Sequence, residues 1–138
     1  MRNDKENVIV DKTIDFSLAI IKYCEVLEQG KKYVIARQLL RSATSIGANV
    51  FEAQNAESKA DFIHKMKIAA KEASETFYWL ILCERSATYQ FDKRLKENLD
   101  EIIRILSKII SSSKGKIPGF VWSILWAFSN FQILKLAH

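Results

Sequence analysis

Asp61 and His64 stand three residues apart, the one place in the chain where an acid and a histidine share that spacing. A di-metal centre in a helical bundle needs Glu-x-x-His on two helices and further glutamates facing inward. With only His64 and His138 available, the pattern is single and incomplete, and a solvated helix surface accounts for it better. Cys24 and Cys83 could in principle act as nucleophiles. Each lies among apolar residues at helical spacing, where a thiol stays protonated and inert. There is no Cys-x-x-Cys and no glycine-rich phosphate loop, and two cysteines do not make a disulfide framework in a chain of this size. Glu72, Glu75 and Glu84 share one predicted helix, where pairing with Lys71 and Arg41 is their simplest role. The expectation is a protein that is not an enzyme and holds neither cofactor nor metal.

The basic residues carry more promise. Between Lys31 and Val50 there are four cations, Lys31, Lys32, Arg37 and Arg41, and no acid. Arg37 and Arg41 are four apart and share a helix face. Lys65, Lys67 and Lys71 add positive charge to the following helix, the last two again four apart. Together with a net charge of +5, these seven residues are the candidate contacts to a phosphate backbone, which would be held with little reading of sequence. An ordinary charged face is the alternative. Phe77, Tyr78 and Trp79 cover most directions around their helix. Core and subunit interface are their default roles, ahead of a platform for stacked bases.

Four helices are needed to hold these residues. A chain with one proline and four glycines lacks the breakers that a sandwich or barrel requires. The first helix is predicted from Asp11, as N-cap, to Gln29, with Gly30 as its stop. It carries two apolar stripes: Phe16, Ile20, Tyr23 and Leu27, and Ile14, Leu18 and Ile21. That is more apolar surface than one internal face requires. The second runs from Lys32 to Ala53 on Ala36, Leu39, Leu40, Ala43, Ile46 and Val50. Gly47 and Ala48 would let a neighbouring backbone come close. The third runs from Lys59 to Ala87, with Ser58 and Asp61 resembling a capping box. Its inner stripe is Phe62, Met66, Ala69, Ala73, Phe77 and Leu80. The fourth runs from Lys93 to Ser112 behind Asp92, with a heptad of Leu95, Leu99, Ile102, Leu106 and Ile109. Short connections make neighbours antiparallel. The expected fold is therefore all-α, an up-down-up-down four-helix bundle over residues 1–116.

After Lys116 the composition changes. Ser111 to Lys116 reads as a linker into a hydrophobic C-terminal tail over residues 117–138, in which Lys135 is the one charged residue before the terminus. The tail has about the length that spans a bilayer, with Lys108, Lys114 and Lys116 before it. Ser123, Ser129, Asn130 and Gln132 interrupt it, so packing on the bundle or a neighbouring subunit, or an adventitious extension, reads better than a membrane span. The N-terminus lacks the apolar run of a signal peptide, which favours the cytoplasm.

Ser45-Ile46-Gly47-Ala48-Asn49, Glu52-Ala53, Ser58 with Asp61-Phe62, and Lys71-Glu72-Ala73-Ser74-Glu75-Thr76 with Trp79-Leu80 resemble a known signature, and Arg41-Ser42-Ala43 upstream fits it. It is that of the four helix bundle protein family, the 23S ribosomal RNA intervening-sequence proteins, and the likeness covers about residues 8–116. The resemblance implies a bundle that assembles as a homopentamer. It also connects the chain to the accessory protein of diversity-generating retroelements, a basic pentamer that binds nucleic acid and a reverse transcriptase. Family members end near Lys116, so the tail has no counterpart. The expected function is a non-enzymatic homo-oligomer that binds RNA or DNA non-specifically through a multivalent basic surface, with a reverse transcriptase as a partner by analogy. The alternative is a structural or protein-interaction module without nucleic acid, attached to a membrane through its tail.

Overall fold

The computed structural model describes residues 7–114. Four α-helices form its regular structure: α1 (Val8–Gln29), α2 (Tyr33–Ala53), α3 (Lys59–Arg85) and α4 (Arg94–Lys114). The all-α class and the four-helix bundle stand as expected. The tail from Ile117 onward and the domain boundary at Lys116 lie outside the described residues.

The helix ends differ from expectation where side chains compete for backbone groups. Asp11 is not the cap of α1. The Asn7 carboxamide accepts from the Val10 amide, which starts the helix a turn earlier and leaves Asp11 in the first turn, where a negative charge complements the helix dipole. Ser58 caps α3 as expected, accepting from Asp61 N at 3.0 Å. The return bond from Asp61 reaches the amide of Glu57, not of Ser58. The run Ser111 to Ser113, expected as linker, is helical. Those three hydroxyls donate back to the carbonyls of Lys108 and Ile109, so the serines solvate their own helix instead of breaking it.

At the end of α1, Gly30 is the cap but does not take the left-handed conformation. Lys31 does, with φ 61°. Its amide donates to Glu28 O at 2.9 Å, and that of Lys32 donates to Leu27 O at 2.8 Å. This bond pair ends a helix in the Schellman manner, and glycine is the residue that adopts its left-handed position without strain. Lys31→Gly is expected to stabilise the fold by up to about 1 kcal/mol, read as a higher denaturant midpoint at unchanged slope. A loss of stability would mean that the Lys31 side chain contributes more than its backbone costs.

Helix α1 borders α2 and α4, and α3 borders the same two. The cross-helix bonds set α1 antiparallel to α2 and α2 antiparallel to α3. Asn7 bonds Gln54 while Cys24 bonds Ala36 across α1 and α2, and Thr76 bonds Ser42 while Lys65 bonds Glu52 across α2 and α3. The core fills from Phe16, Ile20 and Leu27 of α1, Leu39, Ile46 and Val50 of α2, Met66 and Leu80 of α3, and Leu99, Ile102, Leu106 and Ile110 of α4. The last turn of the α4 stripe therefore buries Ile110 fully, with Ile109 only half-buried. Among the described residues four serines and threonines are buried, Thr13, Ser42, Thr76 and Ser107. Thr13 and Ser107 donate to carbonyls one turn back, and Thr76 lies 2.9 Å from Ser42 as a polar link between α2 and α3. Among the described residues no buried side-chain nitrogen or oxygen lacks a partner, as a stable core requires.

Candidate interaction surfaces

Helix α1 has two apolar stripes and the bundle uses one. Phe16, Ile20, Tyr23 and Leu27 are buried, whereas Ile14, Leu18 and Ile21 are 45%, 59% and 40% exposed. Exposed acids surround this outer stripe: Asp11, Asp15, Glu25 and Glu28. None of the four makes an ion pair among the described residues.

A second surface lies where α2 meets α3. Arg41 bridges the helices, bonding Glu75 and, at 3.4 Å, Glu72. Glu75 also accepts from the Trp79 indole at 3.3 Å, and the Tyr78 ring packs edge-on against Trp79. The guanidinium of Arg41 holds the Glu75 carboxyl below its ordinary pKa, and that contact raises Arg41 in turn. Around this tie stand Val34, Tyr78 and Leu82, 75%, 53% and 37% exposed. Val34 precedes Arg41 by seven residues, two turns along the same line. Tyr78 and Leu82 follow Glu75 by three and seven. Arg37, one turn before Arg41, and Lys71, one turn before Glu75, are exposed at the rim, without an ion pair among the described residues.

The seven basic residues expected to bind nucleic acid do not form one patch. Arg37, Arg41 and Lys71 gather on the α2–α3 face, with Arg41 already engaged by two glutamates. Lys65 is paired with Glu52 at 2.9 Å, and Lys67 is half-buried on α3. Lys31 and Lys32 occupy the turn before α2, where Lys32 donates to Thr88 and stands 5.0 Å over the Tyr89 ring. Twenty residues of helix separate Lys32 from Glu52, about 30 Å, so the Lys31–Lys32 pair and Lys65 mark opposite ends of α2. Val34 and Leu82 were not singled out in the sequence. Each sits off the periodic core stripe, and no local signal distinguishes an apolar residue that faces a partner from one that faces water.

No group of three or more histidine, cysteine, aspartate or glutamate residues comes together among the described residues, and His64 is exposed on α3. Cys24 and Cys83 are buried free thiols. Burial pushes Cys24 up to about 12 and raises Cys83, which removes their nucleophilic form at neutral pH. An open groove of about 520 Å³ runs between α1 and the start of α4, with Tyr23, Val26, Phe91 and Leu95 in its wall and Lys22 and Arg94 on its rim. No helix among the described residues is long and apolar enough to cross a membrane.

The bundle has a solved counterpart. A protein of unknown function from the S23 ribosomal protein family of Bacteroides thetaiotaomicron VPI-5482 superposes with a TM-score of 0.70 at 41% sequence identity, over 74% of this chain and 97% of that one. Among curated proteins none matches. The family model described as 23S rRNA-intervening sequence protein matches residues 5–110, a span that takes in both apolar surfaces and the Arg41–Glu75 tie. The chain belongs to the 23S rRNA-intervening sequence protein family.

Proposed function

We propose that the protein is a non-enzymatic assembly module, a homo-oligomer whose subunits meet through their apolar helix faces. What supports this most is the outer stripe of α1. Three large aliphatic residues remain about half exposed on a helix whose opposite stripe already fills the core. Covering what is left of each contributes roughly 1 kcal/mol, and the Val34, Tyr78 and Leu82 patch adds a second such surface. Isolated apolar residues on a surface are ordinary, but two grouped patches mark association. The resemblance to pentameric relatives makes five the expected number. The two buried free thiols suit a reducing compartment, which makes the cytoplasm its expected place.

A second reading, favoured by the exposed cations Lys31, Arg37 and Lys71, has the assembly hold RNA or DNA through phosphates. Several copies of a weak site gain avidity when one strand can reach them together. A reverse transcriptase would then be a partner by analogy with the related branch.

Light scattering on the purified chain tests the first reading. A particle of about 80 kDa, five times the 15.9 kDa chain, is expected, and a monomer at micromolar concentration overturns it. Fluorescence anisotropy with random RNA and DNA tests the second. Binding should fall steeply as salt rises, and Arg37→Glu with Lys71→Glu should weaken it at least tenfold. Binding that ignores salt and both substitutions, or none at low salt, leaves an interaction module without nucleic acid.

A further inference from the structure

The α1 stripe and the α2–α3 patch differ in the sign of their surroundings. Ile14, Leu18 and Ile21 sit among Asp11, Asp15, Glu25 and Glu28, with Lys22 as the nearby exposed cation. Val34, Tyr78 and Leu82 sit beside Arg37 and Lys71, where the nearest acids, Glu72 and Glu75, already hold Arg41. We infer that the protein assembles head to tail, the acid-rimmed apolar stripe of α1 in one copy docking on the base-rimmed patch of α2 and α3 in the next. The inference rests on the assembly reading and names the two faces that meet.

Two physical arguments select this pairing over like-to-like contact. Placing α1 against α1 brings four acids of each copy together around an apolar seam, and placing the α2–α3 patch against itself does the same with cations. Like charges facing each other across an interface oppose association, whereas opposite rims steer it. The second argument is coverage. A two-fold contact through one patch leaves the other exposed on both copies. A contact between unlike patches covers both on every copy, and if its rotation closes, it makes a ring. Arg37 and Lys71 then face acids of the neighbouring subunit, so the cations that favour nucleic-acid binding are the ones this interface uses.

Complementary blocked variants test it. Ile14→Lys with Leu18→Lys disables the α1 stripe, and Tyr78→Lys with Leu82→Lys disables the α3 part of the other patch. All four positions are exposed, and circular dichroism and a thermal melt verify that each variant folds. The unsubstituted chain should be an oligomer and each variant alone a monomer by light scattering. Mixed in equal amounts, the two variants should form a one-to-one dimer of about 32 kDa, twice the chain mass, because one good face remains on each and the two blocked faces carry lysines that repel. If either variant alone stays assembled, or the mixture stays monomeric while the unsubstituted chain assembles, the head-to-tail pairing is overturned and the assembly reading survives. A monomeric unsubstituted chain removes both.

Discussion

Between pH 8 and pH 11 the bundle should lose several kcal/mol of stability while its neutral-pH fold is unaffected. Three weak acids are buried near one end of the core. Tyr23 donates to Gln90 O at 2.6 Å and packs edge-on to Phe91. Cys24 donates to Ala36 O at 3.3 Å, and Cys83 lies in the same core. Burial, and for Cys24 the proximity of Cys83, pushes the Cys24 thiol from 9.0 to about 12, and burial raises Cys83 and Tyr23 as well. Each group has a neutral protonated form that the fold retains and the unfolded chain gives up. Below the unfolded values the contribution is complete. As pH rises past about 9 the unfolded chain releases protons that the folded chain keeps, and stability falls until the folded groups ionise too. The Cys24 shift alone corresponds to something on the order of 3–4 kcal/mol.

Denaturant midpoints under reductant at pH 8, 9.5 and 11 would measure this. Cys24→Ala with Cys83→Ala should flatten the fall between pH 9 and pH 10, and Tyr23→Phe should reduce what remains above it. Parent and variant share every other ionisable group, so the difference between them isolates the buried ones. Equal slopes in the two proteins would take the thiols out of the account. At neutral pH the same burial predicts that a thiol reagent reacts only after denaturant is added.

The thiols also illustrate how much the sequence discloses. Their burial was legible because Cys24 and Cys83 occupy helical positions between core residues, and the same periodicity gave four helices and most of the core. The surplus stripe of Ile14, Leu18 and Ile21 was legible too, since one helix cannot turn two opposed apolar faces inward. Helix ends were harder, because Asn7, Asp11 and the Ser111–Ser113 run are each compatible with a cap, a first turn or a loop. Only competition among nearby backbone groups decides between them. The basic residues were the least legible. Lys65 and Arg41 look available in one dimension, but Glu52 lies thirteen residues from Lys65, and Glu72 and Glu75 lie more than thirty from Arg41. Those pairings exist only once α2 and α3 are in register. The α2–α3 patch is tertiary for the same reason: Val34 and Tyr78 sit on neighbouring helices, which the Arg41–Glu75 tie joins at one end of the patch.

Gly47 offers the sharpest test of how the α1–α2 pair is set. It is the central residue of the Ser45–Asn49 stretch, and it lies where α1 crosses α2. A methyl group built there would meet Thr13 Cβ at 3.4 Å, Ser17 Oγ at 3.5 Å and Thr13 O at 3.5 Å. Those are contact distances rather than clashes, so alanine fits the space and nothing longer does. The hydroxyls of Thr13 and Ser17 donate back to carbonyls of their own helix, so the crossing is effectively apolar despite its composition. Ala48, expected to share the role, is exposed and does not. Gly47→Ala should therefore be neutral or stabilising by up to about 1 kcal/mol, since alanine is the better helix former by that amount. Gly47→Leu should cost about 1–3 kcal/mol through overpacking. It must push α1 away from α2 and tilt the outer stripe of α1 relative to the α2–α3 patch. A denaturant melt reads the first effect and light scattering the second: the leucine variant should be both less stable and impaired in assembly, and the alanine variant in neither. A strongly destabilised Gly47→Ala would show that the crossing is tighter than these distances and that glycine is required there for backbone approach. A leucine variant of undiminished stability would show that α1 is free to shift on α2, which would leave the relative placement of the two apolar surfaces unfixed.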